Sequence, residues 1–328
     1  MKIERHTLSA ELRKTFFMAP ENQSPYAVLD TIWMGRPKSI ACVVVQSDGI
    51  NALIDPGPTS TLETLRAGLR EHGLTVQDLH AILLTHIHLD HAGAVGSLVK
   101  ENPKLDVFVH EFGAKHMADP AKLLASAARL YGGEMDRMYG PFLPVPQENL
   151  QPLAGGEIVT VGARKFSVLY TPGHASHHLT FWDSLDKTAF VGDVGGITVE
   201  GDTFIMPATP PPDINLDLWN KSLDAIAALK PEKIFLTHFG YQRDPIAHME
   251  RYRRKLSDWT ALAKNLLEGG KTEEEAGKEF VEAVAAETRH DVSNTSEADH
   301  YIFNGGLYLS WLGLLRYTKK QTEKAAAS

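Results

Sequence analysis

A single cysteine in 328 residues leaves no partner for an intrachain disulfide and too few thiolates for a metal cluster. That residue, Cys42, lies in the apolar run Ile40–Val45, where it reads as core rather than chemistry. A reducing, cytoplasmic setting is therefore expected. Long hydrophobic runs are missing too, since no stretch approaches the ~18 consecutive apolar residues of a membrane span. Residues 1–17 scatter charges where an export signal needs an apolar segment. Positive charge is in deficit, with a formal net charge of -8, so nothing offers a footprint for a phosphate backbone. These absences argue against membrane and nucleic acid and leave a small-molecule substrate as the expected partner. What is present is 43% hydrophobic composition, enough for a substantial core in one large domain or two ordinary ones.

Residues 1–30 show weak periodicity and polar breaks around Ala19–Pro25, and read as an arm docking on the body or on a neighbouring subunit, as in a homodimer. A catalytic region follows over 31–244, in which strand and helix alternate. Ser39–Gln46 and Asn51–Ile54 form a hairpin signal across Ser-Asp-Gly, and Thr59–Gly73 carries Leu62, Leu65 and Leu69 at helical spacing. Ala81–Thr85 is a strand, Ala92–Asn102 a helix and Leu105–His110 a strand. A helical stretch from Phe112 to Met138 is broken at Pro120 and Gly132–Gly133. A second half begins near Glu157, with strands at Lys165–Tyr170, His178–Trp182, Thr188–Gly192 and Lys233–His238 and a helix over Ile214–Lys230. The strands Ile82–His86 and Ile234–His238 end alike, in Leu-Thr-His. From Pro245 to Ser328 the chain turns helical: one amphipathic helix presents Ile246, Met249, Leu256, Trp259, Ala263 and Leu266, an acidic second helix follows, and His300–Lys320 predicts a third.

The densest chemistry is Thr-His-Ile-His-Leu-Asp-His at 85–91, directly after an apolar strand. Alternation sends His86 and His88 to one side, and Asp90 and His91 follow as the chain turns toward a helix. Imidazoles and carboxylates at this density suit zinc and neighbouring first-row metals, and are costly to bury without a cation between them.

This stretch resembles the H-x-H-x-D-H signature of the metallo-β-lactamase fold superfamily. The other stations of that pattern follow in order, as Asp55 in Leu-Ile-Asp-Pro-Gly, His174 in Thr-Pro-Gly-His, Asp193 in Val-Gly-Asp-Val-Gly-Gly and His238 in Leu-Thr-His-Phe-Gly. The resemblance implies an α/β fold, an αββα sandwich with metals at one edge, and here a C-terminal helical extension outside it. It implies two divalent metal ions per chain, zinc first, with manganese and iron also accepted by such ligands. His86, His88 and His174 would hold one, Asp90, His91 and His238 the other, with Asp193 bridging. Asp55 is either a turn residue or a carboxylate orienting a ligand imidazole. A hydroxide between the cations would be the nucleophile, with Asp90 holding it, so no serine or cysteine nucleophile is required.

Less specific candidates surround this set. His177 or His178 could turn back to the site as a donor, or simply begin the next strand, and His110 and His116 sit beyond a neighbouring strand. Arg129, Tyr131 and Tyr139 lie in the insertion that overhangs the metals in this fold, and are candidates for substrate contact. The segments Arg129–Gly140 and Ile197–Met206 would frame a cleft without clustered lysine or arginine. The expected activity is metal-dependent hydrolysis of an ester, lactone or thioester. Small-molecule phosphoester hydrolysis stands second, and a mononuclear-iron persulfide dioxygenase behind it.

Overall fold

The apolar run Ala41–Val45 has no polar alternation because both of its faces are covered, as happens to a strand inside a layered sheet. In the computed structural model, which describes residues 24–199 and 203–327, Ala41, Val43 and Val45 face a second sheet while Cys42 and Val44 face helices. The first sheet runs β1 (Tyr26–Asp30), β2 (Ala41–Ser47), β3 (Ile50–Ile54), β4 (Ala81–Leu83), β5 (Asp106–His110) and β6 (Leu150–Leu153), in spatial order of sequence. The first three strands are antiparallel and the rest parallel. Parallel neighbours need crossovers. These are α1 (Leu62–Glu71), then α2 (Leu89–Ala92) with α3 (Val95–Glu101), then α4 (Glu111–Ala118), α5 (Ala121–Tyr131) and α6 (Met135–Tyr139).

The second sheet holds β7 (Ile158–Val161), β8 (Arg164–Tyr170), β9 (Leu179–Asp183), β10 (Thr188–Phe190), β11 (Lys233–Leu236) and β12 (Gly240–Gln242), again neighbours in sequence order. Only its β10–β11 pair is parallel, joined through α7 (Leu216–Ala228). Phe166, Phe181, Phe190 and Phe235 fill the space between the sheets. The outer face of the second sheet packs on α7 together with α8 (Pro245–Glu268), α9 (Glu273–Asp291), α10 (Thr295–Asn304) and α11 (Leu307–Ala327). Trp219, Tyr252, Trp259, Phe280 and Trp311 are buried there with Ile234 and Leu236 of β11. Helix, sheet, sheet, helix is the layer order, and the C-terminal helices share one core with the sheet. No helix among the described residues is long and apolar enough to cross a membrane.

Several local expectations change. Of the proposed arm, residues 1–23 lie outside the described residues, while 26–30 form the edge strand β1, paired with β2 in the register Tyr26↔Val45. The Tyr26 hydroxyl donates to Asp183, which also accepts from Arg164 at 2.9 Å, so this edge is tied to the second sheet. The third C-terminal helix is two, α10 and α11, divided at Gly305–Gly306. A Cβ at Gly305 would collide with the Met206 side chain, and Gly306 adopts φ +50. Ile246, placed on the buried face of α8, is 45% exposed because that face is set by Pro245, His248, Met249 and Tyr252, and helical spacing turns Ile246 away from it.

Candidate metal centre

Each expected ligand, and Asp55 beside the ligands, stands just beyond a strand of one of the two sheets. Asp55 follows β3, His86 to His91 follow β4 and enter α2, His174 lies between β8 and β9, Asp193 follows β10 and His238 follows β11. The structure brings the seven ligands together in two groups. His86, His88, His174 and Asp193 form one, and Asp90, His91 and His238 the other, each with its donor atoms within 4.8 Å of one another. Nε2 of His86 and of His174 lie 3.0 and 2.9 Å from Nδ1 of His88. The two Asp193 oxygens divide between the groups. Oδ2 is 3.4 Å from His174 Nε2, while Oδ1 is 3.1 Å from His91 Nε2 and 3.5 Å from His238 Nε2. Asp90 Oδ2 is 3.3 Å from His238 Nε2 and 3.8 Å from His91 Nε2.

The far side of each ring shows what the near side is for. His91 Nδ1 is 2.9 Å from Asp55 Oδ2, His174 Nδ1 2.9 Å from the Ala208 carbonyl and His238 Nδ1 2.7 Å from the Ser39 carbonyl. The Thr85 hydroxyl donates to Asp55 and can accept only from His86 Nδ1, 3.1 Å away. All four acceptors select the Nδ1–H tautomer, so four Nε2 lone pairs converge. Converging lone pairs repel unless a cation lies among them. His91 Nε2 and Asp193 Oδ1 face each other at 3.1 Å, fully buried and with no other hydrogen-bond partner, an arrangement that a cation bound between them would satisfy. The donor set fits first-row divalent metals.

The charges respond as such a cluster must. Burial raises the Asp90 carboxyl, but His91 and His238 outweigh it and bring it down to about 2. Asp193 is likewise held well below the usual carboxylate range by His91, His238 and His174 against its own burial. Burial and then His174 bring His88 down to about 3, whereas the carboxylates of Asp193, Asp90 and Asp55 raise His91 well above the usual range despite burial.

Asp55 is both a turn residue and an orienting carboxylate. It sits at φ +48 and is 1% exposed. Besides His91 it accepts from the Thr85 amide at 2.8 Å and from the Thr85 and Thr237 hydroxyls at 2.7 and 2.8 Å. The Leu-Thr-His echo thus has a physical basis, since each threonine anchors its strand end to Asp55 and each histidine faces the centre. The loop carrying Asp193 is held from behind: Trp219 Nε1 donates to the Val194 carbonyl at 3.0 Å and His248 Nε2 to the Gly195 carbonyl at 2.8 Å. Gly192 in that loop adopts φ +47, and a Cβ there would sit 2.6 Å from the Thr85 hydroxyl.

A cavity of about 680 Å³ opens over His88, Asp90, Asp193 and His238. Tyr131 and Tyr139 line it, their rings 4.9 Å apart, with burial and the Asp90 charge raising the Tyr131 hydroxyl to about 12. Arg129 does not line it, because helical spacing puts it on the exposed face of α5 while Ala127 and Leu130 turn inward. His177 lines the cavity beside His88, ring centroids 5.6 Å apart, and its Nδ1 accepts from the Ile87 amide at 3.5 Å instead of bonding a ligand ring. His178 lies beneath His86, 5.1 Å between stacked rings, its Nδ1 3.0 Å from the Thr171 hydroxyl. His110 is not at the rim: it caps α4 by accepting from the Phe112 amide. His116 does line the mouth, with Lys115 and Lys122, so the cleft is not free of cationic side chains there. The sequence reading missed Trp33, Phe303 and Leu309, which supply further wall.

The layers and the shared carboxylate define an αββα protein with a His/Asp group able to hold metal. The sequence profile of the metallo-beta-lactamase superfamily matches residues 35–238, more than half of the chain, and the protein belongs to that superfamily. The metallo-beta-lactamase fold-containing protein ST1585 of Sulfurisphaera tokodaii is 26% identical over 237 residues, 71% of this chain and 85% of that protein. A hydroxyacylglutathione hydrolase of Legionella pneumophila is 28% identical over 145 residues, 44% of this chain, and the match spans only 42% of that enzyme. Among solved structures, the metallo-beta-lactamase family protein TTHA1429 of Thermus thermophilus superposes with a TM-score of 0.68 at 25% identity, covering 91% of this chain and 94% of that one.

Proposed function

We propose that the protein is a dinuclear metal-dependent hydrolase acting on an ester, lactone or thioester. The observation that carries this reading is the division of the Asp193 oxygens between two histidine groups at the floor of a largely apolar cavity. When bound, two divalent cations, zinc being our first choice, would acidify a water between them and polarise a carbonyl. His86, His88 and His174 would hold one and Asp90, His91 and His238 the other. The Asp90 side chain, 26% exposed and ionised, faces the cavity, where it holds and orients the attacking water. The water oxygen bonds to the acyl carbon, a proton of that water passes to the leaving oxygen or sulfur as its bond to the carbon breaks, and no side chain is acylated. The superfamily relative named for hydroxyacylglutathione hydrolysis supports acyl chemistry.

Elemental analysis of the zinc-loaded protein should approach two equivalents, and His238→Ala should bring this toward one. A firm value of one for the unaltered protein under saturating metal would remove the dinuclear reading. On a panel of substrates, lactones, aryl esters and thioesters should exceed bis-aryl phosphodiesters in kcat/KM. Dominance of the phosphodiesters would replace the acyl reading with a phosphoesterase.

A further inference from the structure

The cavity is walled by rings brought from distant parts of the chain. Tyr139 packs on Trp33 with centroids 5.9 Å apart, and Trp33 packs on Phe303 at 5.6 Å. Behind this wall the Arg36 guanidinium lies 4.0 Å from the Phe303 centroid, closing its outer side. Trp33 is fixed twice over. Its indole N–H donates to the Met138 carbonyl at 2.6 Å, and its neighbours Ile32 and Met34 hold left-handed backbone at φ 50 and 54. Such conformations persist in bulky residues only where the surroundings enforce them, and they gather at ligand sites. Leu123, Leu130, Ile197 and Leu309 complete an apolar lining on other sides. At about 30 Å³ per water-sized group, the cavity holds on the order of twenty non-hydrogen atoms, far more than an acetyl group needs.

We infer that this aromatic and aliphatic wall is a binding site for a bulky apolar acyl group, making Trp33, Tyr139 and Phe303 specificity-determining residues for esters or thioesters of extended or aromatic carboxylic acids. The inference rests on the acyl-hydrolase reading of the same site. The wall lines the same cavity as Asp90 and His238, so an acyl carbon at the ligands leaves its chain to run along the rings. Lys115, His116 and Lys122 stand at the mouth, where the solvated remainder of such a substrate emerges.

The test uses the zinc-loaded full-length protein with p-nitrophenyl esters from acetyl to dodecanoyl, and in parallel titrates it with phenyl alkyl ketones, which cannot be hydrolysed. Each methylene seated in the cavity should raise kcat/KM, and tighten ketone binding, by about fourfold until the space is filled. From acetyl to octanoyl the gain should exceed about a hundredfold. Phe303→Ala should flatten this slope and Leu309→Trp should move the optimum to shorter chains. Phe303→Leu, which keeps apolar cover over α10, serves if the alanine variant does not fold. Equal turnover of acetyl and octanoyl esters with length-independent ketone binding would overturn the inference while leaving acyl hydrolysis intact. Length-dependent ketone binding without turnover of any ester would uphold the apolar site and remove the acyl-hydrolase reading instead.

Discussion

Asp90→Asn is expected to lower kcat on the best acyl substrate by about 10²- to 10⁴-fold, the range associated with losing a positioned group that handles the attacking water. The substitution keeps the shape of the side chain and removes its charge. That charge is held in place by His91 and His238 against the pull of burial, so the native site is built to keep it ionised. An amide can offer one oxygen to the water but not the anionic acceptor, and it weakens the ligand group formed with His91 and His238. Because Asp90 is partly exposed and lies outside the apolar cores, the variant should keep the fold of the parent, read by circular dichroism. Steady-state kinetics with elemental analysis on the same preparation checks this. Unchanged kcat with both metal equivalents in place would refute the role given to Asp90.

Deleting residues 246–328 should yield no soluble, cooperatively folded protein. The helices removed carry Tyr252, Trp259, Phe280, Tyr301 and Trp311, each buried. At about 2 kcal/mol for each large apolar side chain, the five together contribute on the order of 10 kcal/mol. A domain is stable by only about 5–15 kcal/mol, so the loss consumes most or all of that margin. Truncation also bares Ile234 and Leu236 on the outer face of the second sheet and removes His248, one of the two donors holding the Asp193 loop. Expression yield, circular dichroism and gel filtration report the outcome. A truncated protein that is monomeric, folded and fully active would show the helices to be dispensable.

The ligands were legible because they occupy strand ends, where hydrophobic runs stop abruptly at histidine or aspartate and the order of stations is fixed. The walls were not. Trp33 and Phe303 meet from opposite ends of the chain with no pattern linking them, and Trp33 sits in a turn set by two left-handed residues rather than on a periodic element. Asp55 could be seen as a turn, yet three of its four acceptor contacts come from threonines that follow two other strands and the fourth from His91, which no local window contains. Strands β6 and β12 escaped notice because Leu-Gln-Pro-Leu and Gly-Tyr-Gln are short and poor in β-branched residues, and take their conformation from the neighbours they pair with. Arg129 was misplaced for a simpler reason. Its position on the turn of α5, not its chemistry, decides which way it faces.

The hold of Asp55 on Thr85 and Thr237 also acts as a proofreading device for strand alignment. A β-strand shifted by one residue turns every side chain to the opposite face. A one-residue slip of β4 or β11 that brought the preceding leucine into place would take a hydroxyl donor away from this carboxylate, which is 1% exposed and out of reach of solvent that could replace it. Because one acceptor reads both sheets, an error in either is penalised at the same atom pair, and the ligand histidines one position further on inherit the correct alignment before any metal arrives.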